Sequence, residues 1–183
     1  MSRFCCVALI VLAAACRPHE PHESAAVATP QAPPGGMKIA SSAFVEGAAI
    51  PAQYTCDGAN VNPPLEFHAA PQTAQSLALE MVDPDAPGGA FTHWLLWNIP
   101  SNTTTIAESA KPVPGVAGTN GFGQGAYGGP CPPSGAPHRY VFTLYALDST
   151  LSLPAQSKRE DVESAIKGHV VAEARLSGTY QRK

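Results

Sequence analysis

Residues 76–83, Ser-Leu-Ala-Leu-Glu-Met-Val-Asp, alternate enough to predict a strand with Leu77, Leu79 and Met81 on one face. Parity places Asp83 on that same apolar side, so a carboxylate is delivered to the edge of a core. Pro84, Pro87, Gly88 and Gly89 break the strand, and the chain returns over 92–99 as a run apolar on both faces, with His93 where it leaves the loop. An acid and an imidazole therefore flank one turn. A second strand, 138–147, has His138, Tyr140, Phe142 and Leu144 on one face. The stretch before it, Gly128-Gly129-Pro130-Cys131-Pro132-Pro133-Ser134-Gly135, holds three prolines without a backbone donor and must be a constrained loop.

Around these segments the pattern is plainer. Short strands are expected at 37–39 and 44–45, a proline-punctuated loop at 50–64, and mostly connection over 101–120. One helix is expected, 158–172, with Ser157 and Glu160 at capping-box spacing, Asp161 at its positive end, and Val162, Ile166 and Val170 as an apolar stripe. Residues 175–180 read as a closing strand. A single late helix after many strands predicts a mostly β, antiparallel sandwich with a C-terminal helix.

Composition narrows the function classes. The 183-residue chain carries a net charge of −3 and has no Lys/Arg-rich run, which argues against nucleic-acid binding. Residues 123–128, Gly-Gln-Gly-Ala-Tyr-Gly, match a dinucleotide fingerprint by letter, but Gly-Pro-Cys-Pro-Pro follows where a helix is required. Residues 1–15 read as a signal peptide: Arg3, an apolar run from Phe4, then Ala13-Ala14-Ala15 before Cys16. Small residues before a cysteine resemble a lipobox, with Cys16 as the lipidated residue, although Ala13 stands where leucine is preferred. Ordinary cleavage after Ala15 is the alternative. Residues 16–36 are then a Pro-rich tether, with His19 and His22 as solvated linker residues. Cys56 and Cys131, in the domain 37–183, are either one disulfide or two free thiols, and their spacing suits no closed zinc site.

Asp83-Pro84-Asp85-Ala86-Pro87 followed by His93-Trp94, then Gly129-Pro130-Cys131-Pro132-Pro133 followed by His138-Arg139-Tyr140, resemble the two signatures of the phosphatidylethanolamine-binding protein family. The branch resembled is the bacterial Raf-kinase-inhibitor-like one, whose Tyr54-Thr55-Cys56-Asp57-Gly58 and Asn62-Pro63-Pro64-Leu65 segments are also present, and the likeness covers about 37–183. It implies a β-sandwich in which Asp83, His93, His138 and Tyr140 converge on a small anion pocket, with Asp83 holding a histidine's tautomer. Pro132 and Pro133 would shape the wall, Phe91 would occupy a pocket-aromatic position, and Asp85 would be a lesser member. Glycines in 125–129 would let amides approach the anion. The same likeness implies that Cys56 and Cys131 lie within disulfide reach.

The expected function is an exported, lipid-anchored binding protein of the bacterial envelope. It would take phosphate or a phosphorylated headgroup such as phosphoethanolamine, without cofactor or metal. Inhibition of a serine protease, or another protein-interaction role, is the alternative the family implies. Hydrolysis ranks below both, since Ser134 lacks a nucleophile elbow.

Overall fold

The structure, a computed structural model, describes residue 1 and residues 36–182. Residues 2–35, which hold most of the expected signal peptide, Cys16 and the expected tether with His19 and His22, lie outside the described residues.

The described chain forms two antiparallel sheets. Strands β1 (Lys38–Ala40), β2 (Leu65–His68) and β5 (Thr105–Ile106) make the smaller, in the order β1-β2-β5. The larger runs β6-β4-β3-β7-β8, from β3 (Ser76–Asp83), β4 (Phe91–Pro100), β6 (Val116–Ala117), β7 (His138–Leu147) and β8 (Val170–Tyr180). Ile39, Leu65, Phe67 and Ile106 of the small sheet share one core with Leu77, Leu79, Met81, Trp94, Leu96, Phe142 and Leu144 of the large one. On the opposite face of the large sheet, Ala78, Leu95, Trp97 and Leu147 pack against Val162 and Ile166 of helix α1 (Arg159–Ala165) and its C-terminal end. The central strands are thus covered on both sides, which is why 92–99 lacks alternation.

Helix α1 is shorter than the stripe predicts. Gly168 adopts φ +82°, a left-handed conformation that stops the helix, and Val170 pairs with Leu147 in β8 instead of continuing the stripe, 40% exposed. The β7–β8 ladder wins because Val170-Val171 is β-branched and gains strand hydrogen bonds. The helix start also differs: Ser157 Oγ donates to the Pro154 carbonyl, and the Lys158 N–H donates to Asp161 Oδ2 at 2.9 Å. Asp161, rather than Glu160, therefore supplies the acidic half of the cap. No strand forms at 44–45: Phe44 is buried, but Val45 opens a turn through Gly47 and is 72% exposed. The closing strand begins at Val170 rather than at 175, β5 and β6 fall within 101–120, read as connection, and β2 follows the 50–64 loop where no element is predicted.

Candidate functional site

Three strands of the large sheet deliver the site. Asp83 ends β3 because Pro84 follows it, and its Oδ1 accepts the Asp85 N–H at 2.8 Å, folding the turn back on itself. Its Oδ2 accepts from Nδ1 of His138, the first residue of β7, at 2.7 Å. Both side chains are buried, at 4% and 11% exposure. The β3–β7 register pairs Val82 with Val141, and one further step places Asp83 opposite Tyr140. The Tyr140 phenol is fully buried beside that carboxylate, without a hydrogen bond of normal geometry, and burial followed by the Asp83 charge pushes its pKa up.

His93 comes from β4, two residues from Phe91 and on the same face of the strand. Its Nδ1–H donates to the Gly128 carbonyl at 2.7 Å and is shared with that of Gly129 at 3.1 Å, while the Gly128 N–H returns a bond to the His93 carbonyl. Carbonyls only accept, so the proton sits on Nδ1 and Nε2 has no protein partner among the described residues. Burial lowers the His93 pKa, outweighing the carbonyl bonds and the Asp83 charge that raise it. Phe91 and Tyr140 lie 5.1 Å from the imidazole by ring centroid, and Phe122 lies 5.6 Å away.

The loop that receives His93 is fixed from behind. The Gly129 N–H donates to Asn60 Oδ1 at 2.7 Å, Tyr127 Oη donates to the Tyr54 carbonyl at 2.7 Å, and the Cys56 N–H donates to the Pro130 carbonyl at 3.1 Å. Cys56 and Cys131 form a disulfide with their Cα atoms 5.4 Å apart. Of the two states open to these thiols, the chain adopts the bond, at ordinary disulfide separation.

Asp83, Phe91, His93, Pro132, Pro133 and His138 line one cavity of about 190 Å³. Tyr140 and Asp85 do not line it. Tyr140 sits behind the wall, against His93. Asp85 faces outward and takes the Arg139 N–H and Nε–H at 2.9 Å and Nη2 at 2.7 Å, and Arg139 holds its pKa down at about 2. The glycine expectation also needs correction. The amides of Gly128 and Gly129 are engaged by His93 and Asn60, and Gly125 lines a different cavity, of about 270 Å³, between Asn60, Lys111 and Tyr127. That cavity is larger, but Lys111 is its only charged side chain among the described residues, so size alone does not choose the site.

Four lining residues were not singled out as lining candidates: Ala86 and Pro87 within the first signature, Cys131 within the second, and Phe122 outside both. Phe122 is the informative one. A lone aromatic between Gly121 and Gly123 signals a ring on a turn, and a Cβ on Gly128 would lie 2.6 Å from that ring. Its ring stands 4.8 Å from Phe91 and is 46% exposed. An exposed large apolar group at a cavity mouth is the kind of feature that marks a binding surface.

The chain is similar to several known proteins. A family model described as phosphatidylethanolamine-binding protein matches residues 40–181. The chain belongs to this family. Among curated relatives, a UPF0098 protein of Methanothermobacter thermautotrophicus is 46% identical over 151 residues, covering 80% of this chain and 99% of its own length. A UPF0098 protein of Pyrococcus abyssi is 44% identical, covering 80% and 86%. Of solved structures, a putative PEBP homolog from Chlamydia trachomatis aligns with TM-score 0.78 at 39% identity, covering 81% of this chain and 99% of its own. E. coli YbcL, described as a new member of the mammalian PEBP family, aligns with TM-score 0.75 at 29% identity, covering 80% and 99%. The two-sheet antiparallel fold of this PEBP domain agrees with both.

Proposed function

We propose that this PEBP-family protein is a binding module whose cavity takes phosphate or a small phosphorylated headgroup such as phosphoethanolamine. The observation that carries the proposal is the pair of imidazoles on one 190 Å³ cavity, each with Nδ1 tied down and Nε2 without a protein partner among the described residues. Orientation is thus settled before a ligand arrives, and each Nε2 is the nitrogen left to meet it. Binding rather than hydrolysis is supported by Ser134, which is exposed and outside the cavity lining, and so is not placed to serve Asp83 and His138 as a nucleophile. Calorimetric titration with phosphoethanolamine tests the reading. The wild-type chain binds, and His138→Ala loses about tenfold or more in affinity with the removed hydrogen bond. A wild-type protein that takes up neither phosphoethanolamine nor phosphate contradicts it.

The setting proposed for this module is the cell envelope, with Cys16 lipidated after removal of residues 1–15. The Cys56–Cys131 disulfide supports an oxidising compartment, where such bonds persist. Cys16→Ser should move the protein from the membrane to the soluble fraction, and an intact mass showing unlipidated Cys16 in the native protein would remove the anchor.

A further inference from the structure

If the cavity takes phosphate, the charges and hydrogen-bond capacities of its wall restrict which phosphates fit, an inference that rests on the binding role proposed above. Among the described residues no Lys or Arg lines the cavity, and Arg139, the cation nearest in sequence, is committed to Asp85 on the outside. Asp83 contributes one negative charge, and His138, hydrogen-bonded to it, at most balances that charge. His93 is the remaining ionisable lining side chain, and burial disfavours its charged form. The Tyr140 phenol behind it stays neutral. Near neutral pH the wall therefore sums to zero or minus one, a poor host for an oxyanion with no proton of its own.

The acceptor inventory points the same way. An ionised carboxylate has about four lone-pair positions and no donor, and in Asp83 the Asp85 N–H and His138 Nδ1–H occupy two. His93 commits its proton to the Gly128 and Gly129 carbonyls, so its Nε2 faces a ligand as a lone pair. We propose that the cavity selects oxyanions that carry an O–H, namely inorganic phosphate and phosphomonoesters, over sulfate and phosphodiesters, because Asp83 and His93 Nε2 need donors from the ligand. Inorganic phosphate keeps an O–H throughout the neutral range. A monoester, with a second pKa near 6, recovers its proton at small cost. Sulfate and a diester cannot, and would set acceptor against acceptor. Free or monoesterified phosphate is thereby favoured over the intact phospholipid, whose phosphate is a diester.

The test is calorimetric titration of the full chain with inorganic phosphate, phosphoethanolamine, sulfate and glycerophosphoethanolamine, at pH 7.5 and 5.5. At pH 7.5, phosphate and phosphoethanolamine should bind at least about tenfold more tightly than sulfate and the diester, the equivalent of one lost charge-assisted hydrogen bond. Lowering the pH should narrow the gap only as His93 gains a proton and presents an Nε2–H donor to any oxyanion, which burial delays to below the usual imidazole range. Repeating the phosphoethanolamine titration in buffers of different ionisation enthalpy should show proton uptake on binding. Asp83→Asn should weaken phosphate but not sulfate, bringing the two within about threefold. Equal affinities for phosphate and sulfate in the wild type at pH 7.5, or monoester binding without proton uptake, would overturn the selectivity. Absence of binding by all four ligands would instead sink the phosphate role beneath it. The proton-uptake measurement needs only the wild-type chain, so the proposal stays testable even if Asp83→Asn does not fold.

Discussion

His138 and His93 face the same cavity, yet they are held by different regions of the molecule. His138 is held from the sheet: its partner is the Asp83 carboxylate, one strand away in a regular antiparallel ladder. His93 is held from the loop: its partners are the Gly128 and Gly129 carbonyls, in a segment stapled to residues 54–60 by a disulfide and three hydrogen bonds. A carboxylate partner can follow a change in imidazole charge, whereas a carbonyl fixes the tautomer and leaves burial to decide the charge. The cavity thus joins a wall built on a carboxylate–imidazole pair to one built on a carbonyl-held imidazole whose charged form burial disfavours.

The largest break in that contrast comes from the staple. The Cys56–Cys131 bond spans a sequence separation of 75, so Cys56→Ser/Cys131→Ser should cost about 4 kcal/mol in urea unfolding on the chain-entropy account. Its effect on the native state should be confined to the His93 side, with the Asp83–His138 bond retained in NMR spectra. On the sheet side, His138→Ala leaves the buried Asp83 carboxylate with the Asp85 N–H alone and should cost about 1–3 kcal/mol of stability. Gly128→Ala brings a methyl to 2.6 Å from the Phe122 ring, but that ring is partly exposed and can give way. About 1 kcal/mol is expected, with the loss again felt at His93.

The smallest effect is on pH dependence and belongs to His93. The folded His93 pKa is lowered, so below the unfolded value of about 6.5 the unfolded chain binds more protons at this residue than the folded one. The stability contributed by keeping it neutral is complete above that value and is lost as pH falls through it. His93→Gln should flatten this part of the acid limb in denaturant titrations from pH 7 to 5. An unchanged slope would mean that another group sets it.

The sheet wall was legible in the sequence because period-two parity is short-range information: it places Asp83 beside Leu79 and Met81, and His138 beside Tyr140, without knowledge of the fold. Even there parity could not say that Tyr140 ends behind the cavity wall, since depth depends on the second sheet. The loop wall was legible only as a constraint. Three prolines announce an irregular segment, but which carbonyl meets which imidazole depends on contacts with residues 54–60, about seventy positions away. Val170 shows the opposite failure. Its helical spacing was real, and a left-handed Gly168 together with the ladder to β7 overrode it.

Whether both imidazoles meet a phosphate in one cavity can be read from the side-chain ¹⁵N signals of His93 and His138 while inorganic phosphate is titrated into the full chain. Nε2 of both residues should shift with one common dissociation constant, while both Nδ1 signals hold their hydrogen-bonded positions. Histidine signals that stay still, with shifts clustered instead around Lys111 and Tyr127 at the larger cavity, would show that the phosphate binds elsewhere and that the two histidines do not form its site.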